Sequence, residues 1–263
     1  MNDQRAQLGR LESLGAMFAF FGRIIGLIPL GSRRFMGETL RQAGILITGS
    51  VLTIAGLVFV LGLECGIEGG YGAGAVGAPS VAGAFTALCD LRELTPYAFG
   101  YMMAAKVGTG YVAEIGSMRI SEEIDALDIM GINSVAYLCV TRLLGMWLVI
   151  PFVYLAALSV SFTGSYIAVV DELAHVSAGG YLQLFWQFQS PIDLVYSAIK
   201  ALLMATFIVL VSGYYGYTAS GGPVGVGRAT AKSMAVNLVG IHIIGLLGSQ
   251  LFWGTNANAP IGG

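Results

Sequence analysis

Few residues of this chain can do chemistry, and the densest set is acidic. The run EIGSMRISEEIDALDIMGI at 114–132 sets Glu114, Glu122, Glu123, Asp125 and Asp128 against one cation, Arg119. Its spacing predicts a short helix. Ser121 caps the start, Glu122 and Glu123 complement the dipole in the first turn, and Gly131 stops it. Ile120, Ile124 and Leu127 share one stripe, with Glu122, Asp125 and Asp128 off it. Two readings follow: a solvated connecting helix, or a docking face for a basic partner.

The remaining ionisable residues of interest lie in or beside apolar stretches, where a charge is costly and functional by default. They are Glu93, Lys106, Asp193 and Lys200. Lys106 either snorkels to an interface, joins a structural ion pair, or serves transport. Lys200 is placed to pair with Glu93 or Asp193. Asp193 is two helical turns away, on the same face but far for direct contact. Glu93, just before Pro96, is either an exposed acid or part of a site.

Enzymatic signatures are missing. Cys65, Cys89 and Cys139 form no CxxC pair, and His175 and His242 stand apart, so each reads as structural and no metal or cofactor is expected. Cys65 and Cys89 fall in outer segments, where a disulfide is chemically allowed; two free thiols are the expectation. The nearest approach to a phosphate loop is GRATAKS at 227–233, where Ala231 replaces the required glycine and no strand precedes. It reads as a Gly-rich turn and helix start, and any ATP hydrolysis belongs to another chain.

The elements that must position these residues are membrane helices. Hydrophobic residues make up 56% and charged residues 11%, against about 25% charged in a soluble domain. A net charge of −2 gives no field for nucleic acid, and none is expected as a partner. Five segments are long enough to span: 42–63, 96–115, 135–160, 192–214 and 233–253. Residues 14–31 hold Phe18, Phe21, Ile25 and Ile28 at helical spacing beside Arg23 and Pro29, and read as an amphipathic interfacial helix. Residues 79–91 are too short to cross and read as a re-entrant or surface piece. In the outer segment 162–190, Tyr181, Phe185, Trp186 and Phe188 read as an interfacial helix or aromatic belt. The expected fold class is therefore an all-α integral membrane protein, with about five transmembrane helices, the interfacial helix and the cytoplasmic connector.

Arginine and lysine set the orientation. Arg5, Arg10, Arg23, Arg33, Arg34 and Arg41 precede the first span, and Arg119, Arg142, Arg228 and Lys232 fall on the same side of a five-span chain. The outer segments hold Arg92 with Glu64, Glu68, Asp90, Asp171 and Glu172. The N-terminus is thus expected in the cytoplasm and the C-terminus outside, in the plasma (inner) membrane, with no cleavable leader. One permease-like domain is expected over 1–263: a cytoplasmic or interfacial part at 1–41, a bundle at 42–253 and an external tail at 254–263. Gly100, Ala104, Ala105, Gly108 and Gly110 make the second span a close-packing helix, against a partner chain or within its own.

The acidic run resembles the signature of the MlaE/YrbE permeases, membrane subunits of lipid-transporting ABC systems associated with MCE proteins. LRELTP at 91–96, AAKVGTGYVAEIG at 104–116 and GGPVGVGRATAKS at 221–233 match in the same order. The ending FWGTNANAPIGG resembles the second of the paired actinobacterial permeases. The resemblance implies a non-catalytic subunit that takes up lipid, a cytoplasmic ATPase dimer, a second YrbE-type permease in a heterodimer, and MCE proteins on the outer face. It also implies that Glu114, Arg119, Glu122, Glu123, Asp125 and Asp128 belong to a coupling helix on the ATPase, and that Glu93, with Lys200 beside it, lies at the lipid pocket. Lys106 stands where the family tends to carry arginine, which weakens any bidentate partner there. The rival classes are a self-sufficient channel or secondary transporter, which needs a polar path through the bilayer, and a membrane enzyme, which needs a convergent acid, base or metal set.

Overall fold

A backbone inside a bilayer must satisfy its own polar groups, which leaves helices or closed barrels. The computed structural model describes residues 2–174 and 176–255; it is built of helices, with no strand among those residues. His175 and most of the expected external tail, 256–263, lie outside them.

The chain opens with α1 (Asn2–Gly26) and α2 (Ile28–Arg34), which meet at a bend of 43°. Pro29 stands in the first turn of α2, where its missing N–H costs nothing, so a second helix starts directly after the break at Leu27. The expected interfacial helix therefore runs past 31, to Arg34. Its apolar stripe also divides. Met17, Phe21 and Ile24 are buried, while Phe18 and Ile25 are exposed.

Next come α3 (Met36–Ala75), a 3₁₀ turn at Pro79–Val81, α4 (Ala82–Leu88), α5 (Thr95–Met102), α6 (Thr109–Ile120) and α7 (Glu123–Ile129). The second half is α8 (Thr141–Tyr166), α9 (Ala178–Gln187), α10 (Pro191–Tyr217) and α11 (Gly222–Trp253). Wider π-helical turns at Cys89–Leu94 and Met103–Gly108 link α4, α5 and α6 without a break; two more flank α8, at Ala136–Val140 and Ile167–Glu172. Such turns concentrate at functional sites.

Among the described residues, four helical segments are long and apolar enough to cross a membrane: Met36–Ala75, Ala136–Glu172, Pro191–Tyr217 and Gly222–Trp253. The bent pair at the N-terminus would make five if it is one span. The expected second span, 96–115, is helical, but no single helix there has span length; it lies within the linked run from α4 to α6. The other helices overrun the expected boundaries, because a helix need not end where its apolar stretch does.

The chain forms two compact units. The first takes the chain up to Leu46, Ala104–Leu148 and Thr206–Asn237. Its core includes Ile115, Ile124, Leu143 and Met146. In it α8 approaches α3 so closely that a Cβ at Gly145 would lie 2.9 Å from the Thr39 carbonyl. The second takes Ile47–Met103, Val149–Ala205 and the chain from Leu238. There α4 packs on α9 through Ala82, Ala84, Ala87, Tyr181, Phe185 and Phe188. The 79–91 piece, expected to be re-entrant or at the surface, is partly packed, with Val81 and Phe85 exposed, and begins a long helical run. The 162–190 segment does form a helix, but Tyr181, Phe185 and Phe188 face α4 rather than making a belt, and Trp186 alone of the four is exposed. Period alone cannot distinguish an aromatic face aimed at lipid from one aimed at another helix.

The small residues of the second span divide as well. Gly100 packs near Ile241 and Met204, Ala104 is buried, and Gly108 meets Ser212 and Ile208. Ala105 and Gly110 are exposed, so part of the small face is used within the chain and part is not.

Candidate functional site

The π-helical turn Cys89–Leu94 is the centre of the second unit. It carries Arg92 and Glu93 side by side, while α10 carries Asp193 and Lys200. The charges pair crosswise. Arg92 binds Asp193 at 2.8 Å, with both side chains nearly or wholly buried. Lys200 binds Glu93 at 3.0 Å, with the lysine fully buried and the glutamate half-exposed. Of the two partners open to Lys200 in the sequence, the fold selects Glu93.

Each pair is completed by α11. Trp253 donates its indole N–H to Asp193 at 2.8 Å, and the Arg92 guanidinium stacks 5.2 Å from the Trp253 ring. The Lys200 ammonium donates to the Arg92 carbonyl (2.7 Å), to Glu93 (3.0 Å) and to the Ser249 hydroxyl (2.8 Å), which uses all three of its protons. Ser249 in turn donates to the other Glu93 oxygen at 2.5 Å. Gly248 makes room: a Cβ there would come within 2.7 Å of the lysine chain. A buried charge is tolerable only when paired and hydrogen-bonded in this way.

A cleft of about 470 Å³ opens beside this network, lined by Phe85, Leu88, Cys89, Arg92, Glu93, Ser249 and Trp253. Apolar walls with a few convergent polar groups are the usual build of a small-molecule site. Behind it Asp90, read from sequence as an outer-segment acid, is fully buried and accepts hydrogen bonds from Ser161 and Ser165. Tyr154 bonds Ser197 at 2.5 Å, and Ser197 reaches the Leu91 carbonyl. Sequence reading missed Arg92, Asp90, Ser249 and Trp253 as site residues. The available signal was the matched charge order of Arg92–Glu93 and Asp193–Lys200, but nothing in it says which helices meet.

Cys65 and Cys89 are joined as a disulfide, with their Cα atoms 6.7 Å apart, which corrects the expectation of two free thiols. Twenty-four positions apart in sequence, they meet because α3 and the 89–94 turn share the second unit. Cys139 is free and buried.

The acidic connector belongs to the first unit. Ser121 does not cap α7. It closes α6, its one hydroxyl proton lying within reach of the Ser117 carbonyl at 3.0 Å and the Glu123 carboxylate at 2.8 Å. The cap position is Glu122, held at φ 62°, a left-handed conformation uncommon for a residue with a side chain. Gly131, at φ 76°, stops the helix: its N–H reaches the Asp128 carbonyl and that of Ile132 the Leu127 carbonyl. Ile124 is buried and Leu127 half-buried, but Ile120 is exposed. Of the six polar residues predicted here, five have structural partners: Glu114 with Arg142, Arg119 with Asp125 at 2.6 Å, Asp128 accepting from the Ser134 N–H at 3.1 Å, and Glu123 beside the Ser121 hydroxyl. Glu122 and Glu123 remain exposed, followed by exposed Ile129 and Met130.

Residues 39–251 match the family described as Permease MlaE. The chain belongs to the MlaE permease family. This permease is 30% identical over 245 residues to a probable ABC transporter permease protein of Rickettsia conorii, covering 92% of this chain and 93% of that one. It is 30% identical over 204 residues to a probable ABC transporter permease protein of Rickettsia bellii, 78% of each. It is also 30% identical over 171 residues to the chloroplastic protein trigalactosyldiacylglycerol 1 of Arabidopsis thaliana, covering 65% of this chain and 49% of the plant protein. The permease is a multi-pass membrane protein, and both Rickettsia relatives are named as probable ABC transporter permeases.

Proposed function

We propose that this chain is the non-catalytic permease subunit of an ATP-driven lipid transporter of the MCE type, and that the cleft beside Glu93 and Lys200 receives part of the lipid. The observation that carries the reading is the cleft itself: an apolar wall beside a buried, fully hydrogen-bonded lysine whose glutamate partner is half-exposed. Such a wall accepts acyl chain, and the half-exposed carboxylate and the Arg92 edge meet the polar part of an amphiphile. The Arabidopsis relative, whose name contains a glycolipid, supports lipid as the class. The chain acts as one permease domain over 1–263.

Partners and direction follow from the same reading. A cytoplasmic ATPase dimer docks on the acidic connector, where Glu122 and Glu123 face outward. A second YrbE-type permease completes a heterodimer, MCE proteins sit on the outer face, and lipid moves inward. The N-terminus is cytoplasmic and the C-terminus external.

Site-specific photocrosslinking tests the cleft. A photoreactive residue at Phe85 or Trp253, in the complex as purified from membranes, should capture co-purifying lipid. One at exposed Phe152, outside the cleft lining, supplies the background. Equal capture at all three positions removes the cleft from the lipid path.

A further inference from the structure

A second cavity, of about 450 Å³, lies within the first unit, where α10 turns into α11 under α1. Its wall carries the exposed Arg228 and Lys232, one turn apart on α11, with Thr218, Ser220 and, on α1, Leu14 and Met17 in the same lining. The turn that builds it is the glycine-rich run GGPVGVG. Gly221 and Gly222 take left-handed backbone (φ 87° and 68°), and Gly225 packs directly on the Ser220 carbonyl, where no side chain fits. That packing brings Ser220 to the α11 wall. Arg228 and Lys232 repel each other at this spacing, and among the described residues neither forms an ion pair with an acid.

We propose that this cavity binds the phosphodiester headgroup of an anionic lipid. Two cations on one helical face, with the Ser220 hydroxyl in the same lining, suit phosphate oxygens, and the apolar side accepts the first carbons of an acyl chain; the Thr218 hydroxyl already donates to the Tyr214 carbonyl at 2.7 Å. Leu14, Met17, Val224 and Val236 in the same lining favour a lipid over a soluble anion. Assignment of the site to the cytoplasmic leaflet rests on the orientation proposed above; the headgroup chemistry does not.

Native mass spectrometry of the complex as purified tests this, with phosphatidylglycerol and phosphatidylcholine of matched chains. The intact complex should retain phosphatidylglycerol over phosphatidylcholine, and R228Q/K232Q should cut that retention about tenfold, as loss of charge-assisted contacts predicts. R228K/K232R should keep it and S220A should lower it. If R228Q/K232Q is not monodisperse, V224W, which fills the cavity from an exposed position, makes the same test. Retention is read as the excess of phosphatidylglycerol over phosphatidylcholine, because the cleft beside Glu93 and Lys200 is itself proposed to take lipid. Equal retention by R228Q/K232Q and wild type, or equal retention of both lipids, overturns the proposal. So does displacement of phosphatidylglycerol by millimolar inorganic phosphate, which marks a soluble-anion site. Loss of the ATPase from R228Q/K232Q with lipid retention intact also overturns it, in favour of an acidic protein segment.

Discussion

Lys200 is fully buried and spends all three ammonium protons on Arg92, Glu93 and Ser249, whereas Glu93 keeps half of its side chain exposed. The pair is therefore asymmetric, and its two truncations should differ. Glu93→Ala strands a buried ammonium and should cost about 3 kcal/mol, in the range for breaking a buried pair. Lys200→Met leaves a carboxylate that water can reach and a side chain of similar length in the packing, and should cost about 1 kcal/mol. The double variant should resemble Lys200→Met. Thermal unfolding in detergent measures all three. If Lys200→Met is the more damaging single change, the lysine is held by packing and not by its charge partners.

The disulfide makes a separate prediction. Without reductant, Cys65 and Cys89 should resist alkylation of the unfolded chain, while Cys139 reacts. Closing a loop of this length stabilises by about 3 kcal/mol in the chain-entropy account, so Cys65→Ser with Cys89→Ser should lower the unfolding midpoint. Mass spectrometry after alkylation decides it: three modified cysteines in the unreduced chain would mean the bond does not form.

Coupling is best tested at the acids that the fold leaves outward. Asp125 and Asp128 hold Arg119 and the Ser134 N–H, so changing them confounds docking with folding. Glu122→Lys with Glu123→Lys should instead reduce co-purification of the ATPase about tenfold or more, since reversed charges at a docking face cost several kcal/mol. The bundle should remain monodisperse. A matching reversal on the ATPase should restore part of the loss. Unchanged assembly and ATP hydrolysis at low salt would leave α7 as a connector only.

Topology is open to labelling from each side of the membrane. With one cysteine introduced at Ser121 or Asn258, in a chain otherwise free of reactive thiols, an impermeant reagent should reach the first only from the cytoplasm and the second only from outside. Reaction of both from the same side would remove the odd-span orientation that arginine and lysine predict.

The helical membrane class was legible in the residues themselves, because a bilayer admits little else from long apolar runs with so few charges. Local chemistry was legible too: Gly131 as a helix stop and Pro29 as an interruption act through their own backbones. So was the candidate status of Glu93 and Lys200, since a charge in an apolar stretch must find a partner somewhere. What the sequence could not contain was the choice of that partner. Lys200 had Glu93 and Asp193 open to it, and the choice depended on where the 89–94 turn meets α10, which brings Arg92 to one acid and leaves Lys200 to the other. Ser121 changed roles, and Cys65 and Cys89 became bonded, for related reasons. A cap depends on which helix continues through it, and a bond between residues far apart depends on packing. Composition and spacing decide what each segment can do. Only the tertiary structure decides which segments meet, because contact energies between distant residues appear only once the helices are packed.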